Sequence, residues 1–125
     1  EMEKIERRGE DRIQICEPQR QLTHRHSDRV VHVEVVDLNY FGLLMKLQHP
    51  NDETFVDSQP RDLALNLHDD EGDFAIECLI FETSALGVRA LFKHGSFENA
   101  DRLLRFITRQ KQEEVVDEKV VEVML

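Results

Sequence analysis

The chain is poor in the residues that announce covalent or metal chemistry. Its 125 residues include only two cysteines, Cys16 and Cys78, with no CxxC and no Cys/His quartet at zinc spacing. They read as two small buried residues in a reducing cytosol rather than a disulfide. No apolar run approaches the roughly 18 residues that a membrane span needs, so a transmembrane protein is not expected. The opening Glu1-Met2-Glu3-Lys4 has no apolar core of a secretory signal, and the expected compartment is the cytoplasm. Positive charge is also short. Lys plus Arg total 16 against 26 Asp plus Glu, a formal net charge of −10, which argues against partnership with DNA or RNA through phosphate contacts. There is no P-loop, no GxGxxG and no nucleophile–histidine arrangement in a recognisable context, so no enzymatic activity and no cofactor are expected.

What the chain does hold is a charge asymmetry and a run of alternating apolar segments. Residues 1–30 carry seven basic and seven acidic side chains, leaving 9 basic and 19 acidic for residues 31–125. Six of the eleven arginines therefore fall in the first quarter, an arginine-bearing arm on an acidic body. Residues 1–12 are almost wholly polar and read as a flexible N-terminal arm. Ile13 and Ile15 alternate with Gln14 as a short strand, and residues 20–26 are weakly patterned, an edge strand at most. From Val30 to Val36 the β-branched run carries polar residues at His32 and Glu34, a strand signal. Asp37-Leu38-Asn39 breaks it, and Tyr40 to Leu47 returns as its antiparallel partner. Residues 48–60, with Pro50 and Pro60, read as a loop. Further strands are predicted at Leu63–His68, Phe74–Phe81 and Leu86–Phe92, with the acidic run Asp69-Asp70-Glu71-Gly72-Asp73 as a solvated turn. Ser96 then caps a helix whose apolar face runs Phe97, Ala100, Leu103, Leu104 and Ile107. The valine-rich tail fits a strand by propensity and a helix by spacing, and leaves a homodimer open. Short antiparallel strands followed by one helix imply a small barrel or sandwich.

Two constellations carry chemical meaning. Arg8 and Arg12 form an RxxxR spacing on the arm, extended by Arg7, and each guanidinium is a planar fork suited to phosphate or to the O6/N7 edge of guanine. Asp37-Leu38-Asn39-Tyr40-Phe41-Gly42 lies at a strand turn, where Asp37 can accept from guanine N–H groups, Asn39 can donate and accept, and Gly42 permits close approach. Taken singly, the first is common on charged helices and the second reads as an Asx turn with a bulge glycine.

Together and in this order, they resemble the paired RxxxR and [D/N]xSxxG signatures of the PilZ domain, over about residues 5–108. The later segment Gly87-Val88-Arg89-Ala90-Leu91-Phe92 is similar to that family's glycine-initiated strand before its C-terminal helix. The resemblance implies a mainly β fold, a six-stranded antiparallel barrel with a C-terminal helix. It divides the chain into an arm (1–12), a barrel domain with its helix (13–110) and a tail (111–125). It also implies a receptor for the bacterial second messenger cyclic di-GMP, signalling to an unidentified downstream protein. The ligand-binding residues implied are Arg7, Arg8, Arg12, Asp37, Asn39 and Gly42, the last keeping the surface open to ligand. Asn39 stands where the family has serine. The alternative within the same fold is a PilZ-like protein-interaction module without a ligand. From a different class, His24-x-His26 followed by Asp28 suggests a metal-dependent enzyme, for which no third ligand is evident.

Overall fold

The computed structural model describes residues 12–124, with side chains through Gln112. Six antiparallel strands close into a barrel in the order β1-β2-β3-β6-β5-β4. They are β1 (Gln19–His24), β2 (Val30–Leu38), β3 (Gly42–Leu47), β4 (Leu63–Asp69), β5 (Gly72–Ser84) and β6 (Gly87–Lys93). Strands one to three form one meander and strands four to six another. Two seams join them, β1 against β4 and β3 against β6.

Alternation explains the closure. Leu22, Val31, Val33, Met45, Leu63, Leu65, Ile76 and Cys78 all face inward and are fully buried. Period-two patterning places every second residue of a strand on one face, and a closed sheet makes that face a core. The weak segment expected as an edge strand is β1, paired on both sides: Leu22 sits opposite Val31 of β2 and Leu65 of β4. Its polar composition misled because its two inward positions are Arg20 and Leu22. Arg20 occupies its place at a barrel mouth, where Nε donates to the Glu17 carbonyl.

Both mouths are covered. The segment expected as a loop contains a 3-10 turn (Pro50–Asp52) and a short helix, α1 (Glu53–Ser58). Its Val56 is fully buried in the core cluster. Phe55 packs against the same cluster beside it, and two adjacent apolar side chains among polar ones leave no helical period to read. The other mouth is covered by α2 (Phe97–Met124), whose Leu103, Phe106 and Ile107 are buried. Phe106 belongs to the packed face, whereas Phe97 is 88% exposed and Leu104 half exposed, so the buried stripe is rotated from the expected one. The backbone of α2 continues as helix through the segment read as a tail.

The acidic turn is not merely solvated. Asp69 takes a bidentate contact from Arg102, at 3.0 Å to Nε and 2.7 Å to Nη2. Arg105 pairs with Glu71 at 3.0 Å, and Arg109 pairs with Asp70. The Arg102 guanidinium also lies 4.5 Å from the Phe74 ring centroid. Positions 102, 105 and 109 share one helix face at 3, 4 spacing, so three arginines meet three consecutive acids. This clasp holds α2 to the β4–β5 hairpin. The Arg102 hydrogen bonds keep the Asp69 carboxyl down at about 2. Of the two cysteines, Cys78 is buried as expected, but Cys16 is exposed, because Ile13 and Ile15 take the inward positions around it. Those isoleucines form no strand: Ile13 makes a lone bridge to Leu38.

Candidate functional site

The bridge at Ile13 positions the arm's last arginine. Ile13 N donates to the Leu38 carbonyl at 2.8 Å, and Leu38 N donates back at 2.9 Å. These two bonds bring Arg12 to the barrel rim, where Nη2 lies 2.9 Å from Asp37 Oδ1. Asp37 owes its orientation to a β-bulge. The register of β2 on β3 slips between Val35 and Asp37, so Val35 and Leu38 point inward while Asp37 leaves the core parity it would otherwise share with Val31 and Val33. The Arg12–Asp37 contact is one of charge. Asp37 Oδ1 is shielded from solvent and has no hydrogen-bond partner among the described residues.

Asn39 is committed to the turn. Its side chain is buried, and Oδ1 accepts from Phe41 N at 2.8 Å and Gly42 N at 3.0 Å. Its own backbone N–H donates to the Gly42 carbonyl at 2.9 Å. An Asx side chain thus replaces strand hydrogen bonds through the tightest part of the β2–β3 connection. Tyr40 is stacked on His94 with ring centroids 4.3 Å apart, and a His94 ring nitrogen donates to the Tyr40 carbonyl at 2.8 Å, which fixes the turn to the end of β6.

Gly42 borders the groove beside this turn and is also tightly packed. It is buried against β6, where a Cβ would lie 2.3 Å from the Ala90 carbonyl oxygen. Its lack of a side chain serves the β3–β6 seam. The structure therefore brings together four of the six expected residues: Arg12 and Asp37 as a pair at the rim, Asn39 and Gly42 as the turn beneath them. Arg7 and Arg8 lie outside the described residues.

Beside this turn is a groove of about 450 Å³ whose wall includes Arg12, Phe41, Phe81, Arg89 and Leu91. The register links the Asp37 rim to Arg89 across one level of the barrel: Asp37 opposite Leu44, Leu44 opposite Arg89, and Arg89 opposite Glu82. Arg89 Nε lies 3.1 Å from Glu82 Oε1. A second bulge, between Ile80 and Glu82 in β5, falls at this level and leaves Phe81 without a cross-strand partner. Phe41, Phe81, Arg89 and Leu91 were not among the residues expected at the site. Their trace in the sequence is an apolar or aromatic residue on the solvent side of an alternating strand, a pattern that on its own does not separate a binding wall from an exposed surface.

The histidines lead elsewhere. His24 meets Ser27 Oγ at 2.9 Å and Gln59 Oε1 at 3.3 Å, and His26 faces Asp62 at 3.5 Å. No group of three metal-ligating side chains occurs among the described residues. No helix among the described residues is long and apolar enough to cross a membrane.

No protein-family model matches the chain, and no curated protein matches it either.

Proposed function

We propose that this protein is a cytoplasmic receptor for cyclic di-GMP, with no catalytic role. The N-terminal arm closes over the ligand on the barrel surface and thereby alters the face offered to a downstream protein. The observation that carries this reading is the Arg12–Asp37 pair, whose arginine lines an open groove. A guanine is complementary to both members. Its N1–H and N2–H₂ groups donate to a carboxylate, and its O6 and N7 accept from a guanidinium. The ligand would replace one intramolecular contact by two intermolecular ones. Magnitudes favour the exchange, since a partly exposed ion pair contributes about 0–1 kcal/mol, whereas a good bidentate arginine–guanine contact is worth about 1–3 kcal/mol. Asp37 Oδ1, shielded from solvent and with no hydrogen bond in the pair, gains one from the ligand once Arg12 turns to the base.

In this reading Arg8 supplies the second fork of the RxxxR motif, and Arg7 adds positive charge beside it. Asn39 and Gly42 border the same groove and also shape the turn, since the Asn39 acceptor holds two backbone N–H groups and Gly42 is packed against β6. The same occupied side chain favours a second reading, a ligand-free module of the same fold that binds a protein partner, since the motif's central polar residue offers no open acceptor. Calorimetric titration of cyclic di-GMP into the full chain separates the two. Saturable binding at physiological salt that weakens about 10- to 100-fold in Arg12→Ala and in Arg8→Ala is expected of the receptor. A loss below threefold in both, or no binding by folded wild-type protein, refutes it.

A further inference from the structure

The exposed aromatic residues at the groove are held too firmly to be incidental surface. Phe41 is 60% exposed, yet its backbone is bonded on both sides: N–H to Asn39 Oδ1 at 2.8 Å and carbonyl to Phe92 N at 2.8 Å. Its ring meets Tyr40 edge to face at 5.5 Å, and Tyr40 in turn stacks on His94. Phe81 is 56% exposed beside the β5 bulge, on the outward side that strand alternation sets once Ile80 is buried. The Asx turn and an outward strand position thus present two phenyl rings to one groove, with Leu91 completing an apolar wall. Arg12 and Arg89 stand at the same groove, each beside a carboxylate, Asp37 and Glu82. Rings for a flat face and guanidinium groups for a polar edge or a phosphate are the two elements that nucleic-acid bases need from a binding surface. The groove volume is within the usual range for small-molecule sites.

We infer that Phe41 and Phe81 form a stacking wall for a purine base of an anionic nucleotide, with Arg89 as an additional basic contact to the ligand. The inference rests on the receptor reading and extends it to residues outside the two arginine and aspartate motifs. It also accounts for a site whose central asparagine is turned inward: the affinity that an open polar residue would supply comes instead from ring faces next to it. A protein partner seated on the same rings is the competing occupant, and the test decides between them.

The test uses the full chain. Cyclic di-GMP is titrated calorimetrically into wild type, Phe41→Ala, Phe81→Ala, Arg89→Ala and Arg12→Ala, with thermal melts to verify folding. The chain contains no tryptophan, so Phe81→Trp adds a single reporter whose emission a stacked guanine quenches. Each phenylalanine truncation is expected to weaken binding about 5- to 100-fold. Phe81→Trp is expected to bind within about threefold of wild type, with saturable quenching at the calorimetric midpoint. Binding that collapses in Arg12→Ala but stays within threefold in both phenylalanine truncations, with no quenching in Phe81→Trp, overturns the stacking wall and leaves the receptor standing. Folded wild type that binds no cyclic di-GMP overturns both and gives the rings to a protein partner.

Discussion

Replacing Gly42 by alanine separates a structural glycine from a ligand-access glycine. The added Cβ would sit 2.3 Å from the Ala90 carbonyl oxygen and 3.3 Å from Leu91 Cα, both backbone atoms that cannot swing aside as a side chain would. Ordinary contact begins near 3.4 Å, so β3 and β6 would have to part locally by 3.4 − 2.3 = 1.1 Å. Opening by that much stretches neighbouring N–H···O bonds from the usual ~2.9 Å to beyond ~3.5 Å, outside hydrogen-bond range. Overpacking of this kind costs about 1–3 kcal/mol, and a weakened strand hydrogen bond adds about 1 kcal/mol. A destabilisation of about 2–4 kcal/mol is therefore expected, without any ligand present. Gly95→Ala is the matched control: nothing lies within 4 Å of its Cβ position and its backbone is not left-handed. It should be neutral or raise stability by up to about 1 kcal/mol through the unfolded chain. Urea unfolding of the three proteins measures both effects, and thermal melts report them at about 4–8 °C per kcal/mol. If Gly42→Ala unfolded at the wild-type urea midpoint while losing cyclic di-GMP, the seam argument would be wrong, and the glycine would be there for the ligand.

Other expectations concern the turn, the clasp and the core. Asn39→Ala removes the acceptor of two backbone N–H groups, one of them buried, and should cost about 1–3 kcal/mol; Asn39→Ser, which keeps an oxygen, should cost less in the same urea series. The Asp69 carboxyl is depressed to about 2 by Arg102, so the clasp's contribution is fully present above the ordinary carboxylate value near 4 and is lost as pH falls through 2. Unfolding measured from pH 5 to 2 should show a steeper loss in wild type than in Asp69→Asn, and parallel curves would remove the clasp from the stability of the fold. Leu103→Ala, which empties a fully buried position of α2, should destabilise by about 2–5 kcal/mol in denaturant titration. Burial pushes the Cys78 thiol up to about 12, so a thiol reagent at pH 8 should leave it unmodified until the barrel unfolds, as peptide mapping would report.

The barrel was legible wherever alternation was strong. Val31, Val33 and Val35, or Leu63, Leu65 and Leu67, declare an inward face directly. Legibility failed where one or two residues did the work of a pattern. Val56, with Phe55 beside it, plugs a mouth from a six-residue helix, and Leu22 carries the inward face of β1 almost alone. At the site, residue types indicated Arg12 and Asp37, and the structure brings them to 2.9 Å. The structural work of Asn39 and Gly42 was not legible, because a side-chain acceptor turned onto its own backbone and a glycine packed on the Ala90 carbonyl of a distant strand are properties of register. The bulge in β2 is equally silent in composition, and it decides where Asp37 points.

The two-meander plan carries a consequence for how the chain reaches its native state. Within each meander, pairing joins neighbours in the chain, and hairpins of that kind form in about 1–10 μs. The seams are different in kind: Leu22 must find Leu65, and Gly42 must find Leu91. Such distant pairings charge their loop entropy before any contact rewards it, which places small closed barrels among the slower two-state folders, in the millisecond-to-second range. Neither meander can bury its inward face alone, so closure of the two seams is the cooperative step. The tight crossing at Gly42 and at Gly87, whose Cβ would meet the Met45 carbonyl, falls on one of those seams. Bulk added there burdens the step that limits folding, and its kinetic signature would be a slower refolding arm of the chevron with the unfolding arm little changed.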